Sequence, residues 1–436
     1  MFGYYLDLAW RSLRRTPMLT VLMMVAIGLG IGASMTMLTV LHVMTDDPMP
    51  GRSAQLFTPH LDPLPLDYKL DGDGPDPTAN LTLPDAMALL KARRATRQAA
   101  MAGGSLLVRP AQVGAQPFNI DGRYATADFF SLFDVPFEHG QGWSGADDEA
   151  RAHVVVLSDA LARKLFGSKG GVGETVRLGD NDYRVVGVIA DWAPKPLFYA
   201  DSTGSQYSDD DQFFLPLSVA VDRDLPVNGN NSGWGRENAT GKTSFNMSWL
   251  QFWVQLDTPA QAAAYRQFLV DYSAQQKSLG RFQRPPTDAK LYSLMGWLAH
   301  ENLVPNDIRL QLWLALGFLF VCMVNIVALL LAKFLRRSGE ISVRRALGAR
   351  RRDIFQQLGI ESAVIGVAGG LLGLGIAQLG LWSVRQRPDD YAKLAQMDVS
   401  MLLGTLALAI VASVLAGLLP AWRVCRVAPA LQLKTL

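Results

Sequence analysis

Four stretches of this 436-residue chain, 18–44, 308–335, 354–384 and 400–422, are long and apolar enough to cross a lipid bilayer. Spanning takes about 20 apolar residues in a row, because hydrocarbon offers no partner for backbone N–H and C=O and the helix must satisfy them internally. No other feature restricts the fold as much. Residues 45–307, between the first stretch and the second, have ordinary soluble composition. The chain is expected to be an α-helical membrane protein with four transmembrane helices and a soluble domain inserted between helices 1 and 2.

The formal net charge of +2 conceals a segregation. Residues 45–307 carry 23 Lys and Arg against 32 Asp and Glu, a net −9, so the remainder carries +11. That positive charge hugs the ends of the apolar stretches. Arg11, Arg14 and Arg15 precede the first, and Lys333, Arg336 and Arg337 close the second. Arg350, Arg351 and Arg352 open the third, and Arg423, Arg426 and Lys434 follow the fourth. Charge placed this way sets topology and does not point to nucleic acid. The positive-inside rule puts both termini, the 336–353 segment and the 423–436 tail in the cytoplasm. It puts 45–307 and the short 385–399 loop in the periplasm of a bacterial cell inner membrane. The start of the chain has the charge of a signal peptide, but its apolar run is about twice as long as a signal h-region, so 18–44 is expected to be a retained span.

Phe2, Leu6, Ala9, Trp10 and Leu13 recur at helical spacing. They make 1–17 an amphipathic helix on the inner membrane surface, ended where Thr16-Pro17 turns the chain into the bilayer. Gly28 and Gly32 form a small-xxx-small pair, and Gly369 and Gly373 belong to the glycine-dense third span. Both sets suggest close helix packing.

In 45–307 helix and strand signals alternate. Leu83-Pro84-Asp85 opens a helical run toward Arg97. Residues 153–157 read as a strand, after which Ser158 caps a helix over 159–166 that stops at Gly167. Residues 175–178 and 183–189 read as strands around a turn, with further strands at 213–217 and 252–256 and a long helix at 259–276. The pattern predicts a mixed α/β (α+β) periplasmic domain of two lobes. The polar stretch 200–248 is expected to be a long loop or an insertion between them. This domain contains no cysteine and relies on its core, since Cys322 and Cys425 both lie elsewhere.

Between the second and third spans, 336–353 is too short for a domain and too patterned for a tether. It reads as a small helix offered to a cytoplasmic partner. Inside the spans, Asn325, Glu361 and Gln378 are the polar residues to weigh. Glu361 lies about 12 Å along its helix from Asp353 and is expected either to snorkel or to bond a neighbouring helix. Asn325 and Gln378 are expected to be interhelical hydrogen-bond partners. No second ionisable group is expected beside any of them, which argues against a proton relay.

The motifs that would carry catalytic chemistry are incomplete. Gly241-Lys242-Thr243 lacks the upstream glycine of a phosphate-binding loop, because that position is Arg236. His42, His60, His139, His153 and His300 are scattered without metal spacing, and no Gly-x-Ser-x-Gly elbow occurs. Asp209–Asp211 is expected to be a solvated acidic loop more than a cation site. No catalytic residue, bound cofactor or metal site is expected in this chain.

One span, a large external domain and three more spans resemble the MacB/FtsX-type permeases of ABC transporters. The run from Arg337 through Glu340-Ile-Ser-Val-Arg-Arg-Ala-Leu-Gly348 is similar to that family's coupling segment. Gly359-Ile-Glu-Ser-Ala with Gly366-Val-Ala-Gly-Gly-Leu-Leu-Gly373 is similar to its third span, and Gly417-Leu-Leu-Pro-Ala-Trp-Arg423 to its last. Asp121-Gly-Arg-Tyr124, Phe129-Phe130 and Tyr183-Arg-Val-Val-Gly-Val188 are similar to its periplasmic core domain. The resemblance implies no enzyme activity in this chain but an export permease. Its ATPase-coupling residues would be Glu340, Ile341, Val343, Arg344, Arg345, Ala346, Leu347 and Gly348. It implies a cytoplasmic ABC ATPase dimer carrying ATP and Mg, and a second permease, identical or paralogous. A periplasmic adaptor, an outer-membrane channel and membrane lipid are further partners it allows. The substrate would be a peptide, drug, siderophore or lipoprotein. Because the sequence opens directly on the amphipathic helix, the ATPase is expected in a separate polypeptide. The alternative within the family is a mechanical signal transducer controlling a periplasmic enzyme such as a cell-wall hydrolase.

Overall fold

The computed structural model describes residues 2–68, 78–110, 114, 116–167, 170–200, 210–234, 241–301, 306–386, 397 and 399–426. They form two compact units, one from Met1–Thr45 with Val304–Leu436 and one from Asp46–Leu303. The tail from 427 and most of the 385–399 loop lie outside the described residues. So do 201–209 and 235–240 of the 200–248 stretch.

The chain opens with α1 (Phe2–Arg15) and α2 (Pro17–Thr45). Pro17 takes the first position of α2, where a missing N–H costs nothing. The inserted domain then runs β1 (Leu56–His60), β2 (Leu81–Thr82), α3 (Leu83–Ala92), β3 (Arg97–Arg109), β4 (Phe118–Ala125), α4 (Phe129–Leu132), β5 (Phe137–Gly140) and α5 (Gly145–Glu149). It continues with β6 (Val154–Ser158), α6 (Asp159–Phe166), β7 (Thr175–Leu178), β8 (Asn181–Ile189), β9 (Phe213–Pro216) and α7 (Leu217–Asp222). It ends with β10 (Ser232–Gly233), β11 (Met247–Gln255), α8 (Pro259–Ser278), β12 (Lys290–Ser293) and α9 (Leu294–His300). Four further helices follow: α10 (Asn306–Arg336), α11 (Ser338–Ala346), α12 (Arg351–Arg385) and α13 (Val399–Arg426).

The domain is built on one mixed sheet in the order β12-β1-β11-β3-β4-β9-β6-β8-β5. Both faces are buried. Along β11, Phe252 and Val254 enter one core and Trp253 the other; in β6, Val155 and Leu157 oppose Val156. A strand covered on both faces reads as a continuous apolar run, which is why 153–157 and 252–256 stand out in the sequence. The expected lobes share this sheet and form a single compact unit. The helix expected from Leu83 to Arg97 stops at Ala92, because Arg93 turns left-handed and Arg97 starts β3. Ser158 caps α6 as expected, its hydroxyl accepting from the N–H of Leu161 at 3.3 Å.

In the membrane unit, α12 packs against α1, α2 and α13, and α10 against α2 and α13. Glycine permits the close approaches. A Cβ on Gly32 would lie 2.7 Å from Ile376, and one on Gly369 2.7 Å from Ile27. A Cβ on Gly28 would meet Leu372 at 2.9 Å, while Gly373 faces the Gly28 carbonyl. Two serines extend the pattern: Gly417 of α13 sits against Ser362 and Gly366 of α12 against Ser413. For Asn325 and Gln378 a helix partner would have to come from outside this unit. Both are exposed on the outside of this unit, one position off the inward stripes marked by Ile326 and Ala377.

Candidate functional site

The charged block between α10 and α12 folds as the sequence suggests, into a short helix. Glu340 stands in the first turn of α11, where a carboxylate suits the helix dipole, and it pairs with Arg344 one turn on at 2.7 Å. The helix ends at Ala346 and the chain turns at Gly348, whose φ of +101° only glycine adopts freely. The N–H of Ala349 closes the end by reaching back to the Arg344 carbonyl at 3.1 Å. α12 begins at Arg351, with the Arg350 N–H held by Asp353.

One side of α11 is tied down. Ile341 packs into the bundle core, and Arg344 donates to Gln357 of α12 at 3.2 Å. Glu340 also draws Arg337 to 3.5 Å and Arg15 of α1 to 3.8 Å. The other side is open and apolar: Val343 is 46% exposed and Leu347 83%. Arg345 and Ala346 lie on the helix between them; their side chains lie outside the described residues.

Beneath α11 lies a cluster that the sequence did not reveal. Glu361, fully buried, meets the Lys333 ammonium at 2.7 Å and the Arg337 guanidinium at 3.2 Å. The Ser12 hydroxyl of α1 donates to the same carboxylate at 2.5 Å and accepts from Arg337 at 2.5 Å. The lysine contact is an ion pair at close range without the alignment of a directed hydrogen bond. The expectation that Glu361 bonds a neighbouring helix holds, while the expectation that no ionisable group accompanies it fails. Its charged partners, Lys333 and Arg337, stand in the last turn of α10 and just past it. Charges on separate helices meet only through packing, which no local pattern in the sequence records.

Other sequence candidates resolve differently. Lys242 reaches Asp224 at 2.8 Å and the Leu225 carbonyl, so it closes a loop of the inserted domain. Within the acidic run Asp211 departs from the expected solvated loop, buried against Arg123 at 2.8 Å, while Asp210 is exposed and pairs with Lys195 at 2.8 Å. Asp209 lies outside the described residues. Among the described residues no cluster of three His, Cys, Asp or Glu is placed to hold a metal ion. His60 and His300, far apart in sequence, lie with ring centres 6.5 Å apart beside Tyr292. They border a cavity of about 200 Å³ with Asp62, Arg284 and Lys290.

Two family models cover most of the chain. Residues 20–271 match the MacB-like periplasmic core domain, and residues 313–429 match the FtsX-like permease C-terminal region. The chain belongs to the MacB/FtsX family of permeases. The permease is 24% identical over 366 residues to the pyoverdine export ATP-binding/permease protein PvdT of Pseudomonas aeruginosa, covering 83% of this chain and 49% of that one. It is 24% identical over 430 residues to the macrolide export ATP-binding/permease protein MacB of Salmonella typhi, covering 97% and 58%. The permease thus spans about half the length of the curated relatives it matches. A crystal structure of the periplasmic region of MacB from Actinobacillus actinomycetemcomitans aligns at 14% identity and a TM-score of 0.36, over 58% of the permease and 94% of that chain. The family models and the four long apolar helices make it a multi-pass membrane permease of ABC-transporter type with a periplasmic-type core domain.

Proposed function

We propose that this permease couples ATP hydrolysis by a cytoplasmic ABC ATPase to motion of its inserted domain, and so drives export of a substrate from the periplasm or the outer face of the inner membrane. The termini and α11 face the cytoplasm in this reading, and the domain faces the periplasm. The observation that carries it is α11: a helix braced to the bundle by Ile341, Arg337 and Arg344, with Val343 and Leu347 turned outward. A braced helix with an open apolar face suits docking by a partner that must push. The ATPase belongs to residues other than these 436, because no phosphate-binding loop occurs among them. ATP and Mg would be held there.

A second permease, identical or paralogous, completes the transporter in this reading. Asn325 and Gln378, polar and outward in a bilayer, are positions where another permease helix would find a hydrogen-bond partner. Export is favoured by the names of the relatives, which describe macrolide and pyoverdine export. For this chain the substrate class stays at peptide, drug, siderophore or lipoprotein. An adaptor and an outer-membrane channel would continue the route.

The test uses the outer face of α11, since Arg344 is engaged within the chain and its reversal would disturb α11 itself. Val343→Asp with Leu347→Asp is expected to abolish co-purification of the ATPase with the intact permease in mild detergent. It is also expected to end export. Unchanged association and export in that variant would remove the coupling assignment.

A further inference from the structure

We propose that Glu361 is the hub of a buried ionic junction that fastens α1 to α11 and to the α11 ends of α10 and α12. A push on α11 then moves all of them as one piece. The source of the push rests on the coupling role proposed above; the junction itself does not.

Each spoke ends on a different segment. Lys333 comes from the last turn of α10 and is as buried as Glu361. Arg337 comes from the link between α10 and α11, and Ser12 from the last turn of α1. Arg337 also reaches Glu340 at 3.5 Å, which extends the junction into α11. Glu340 in turn draws Arg15 of α1, so α1 is tied twice, at one buried and one exposed point. An amphipathic helix held only by apolar contact is free to slide along its groove. A hydroxyl shared between a buried carboxylate and a guanidinium fixes its register, because charge-assisted hydrogen bonds are short and directional. A buried carboxylate cannot let its donors go without an unpaired charge remaining, so the junction opens only as a whole.

The junction is tested on the full-length chain in lipid nanodiscs. Cysteines replace Gly3, which has open space around it, and the exposed Gln356 of α12, in a Cys322→Ala/Cys425→Ala background. Nitroxide labels then report the α1–α12 distance by pulsed EPR. The parent is expected to give one narrow distribution. Glu361→Leu with Lys333→Met removes both charges and strands neither of that pair. It is expected to at least double the width of the distribution. Ser12→Ala deletes a single hydroxyl, keeps the test open should the charge variants fail to insert, and is expected to widen the distribution in the same direction. A parent-like width in these variants overturns the proposal, because α1 is then held without the junction, by the packing of Ala9 and Leu13 and the exposed Arg15–Glu340 contact. The measurement contains no ATPase. Its failure removes the junction and leaves α11 docking untouched, whereas unchanged association in the Val343→Asp/Leu347→Asp variant removes docking and leaves the junction.

Discussion

Asp85 in the inserted domain and Glu361 in the membrane unit are both shut away from solvent, and each carboxylate is satisfied by three side chains. Asp85 takes a two-pronged contact from Arg281, both arms at 2.9 Å, with the Tyr272 hydroxyl at 2.7 Å and Thr82 at 2.6 Å. Thr82 is the cap of the helix that carries Asp85, and Tyr272 and Arg281 sit on and just after α8. The pairing welds one helix start to one helix end. Glu361 instead collects α1, α10 and the link to α11. The same chemistry closes a fold in one case and gathers separate helices of the membrane unit in the other. The difference lies in how many segments supply the donors.

The largest effects are expected where that contrast is cut directly. Breaking a buried pair by removing one member strands the other and costs about 3–5 kcal/mol. Thermal unfolding of the full chain should show Asp85→Ala and Glu361→Ala each losing stability of that order. Only Glu361→Ala is expected to expose α1 to limited proteolysis. Equal proteolysis of α1 in both variants would erase the contrast.

Glycine packing sharpens the membrane side. Gly369→Leu drives a side chain into Ile27, and overpacking of this kind costs about 1–3 kcal/mol. Gly375, on the same helix with nothing within 4 Å, is the control, and Gly375→Leu is expected to leave the melting temperature unchanged. The domain side rests more on local hydrogen bonds. Loss of the α6 cap in Ser158→Ala is expected to cost about 1 kcal/mol, read by chemical denaturation.

A third carboxyl gives the most diagnostic effect. Asp148 accepts from the Ala127 N–H at 2.7 Å and the Trp143 indole at 3.0 Å, with no ion pair to a cation among the described residues. Burial accordingly pushes its pKa up to about 6. An unfolded aspartate titrates near about 4, so the folded state holds the extra proton between those values. Stability should therefore rise as pH falls through that window. Asp148→Asn is expected to flatten this rise in unfolding curves taken from pH 7 to pH 4. An unchanged slope would show that the missing cation does not distinguish Asp148 from Asp85 and Glu361.

Much of the architecture was legible because it is local. Each span announces itself by length and apolarity, and α11 by Glu340, Arg344 and the terminating Gly348. The runs around Val155 and Trp253 read as strands because both of their faces are buried. The central β3 did not, since residues 99–104 are Ala-Ala-Met-Ala-Gly-Gly and small side chains give no periodicity. Neither did β4, whose exposed Asn119 and Asp121 and buried Arg123 mask its pattern.

Sequence alone therefore determined how many helices cross the membrane, where a soluble domain is inserted, and that a charged helix sits between the second and third spans. Those properties follow from transfer free energy and backbone geometry, which act over a few turns of chain. Tertiary structure alone decided which charges meet and which faces remain open. Ser12 and Glu361 are 349 residues apart, and Asp85 and Arg281 are 196 apart. No local rule pairs them, because a contact between elements depends on the rotation and register that packing imposes. The same reason turned Asn325 and Gln378 outward, although their composition suited an interior bond.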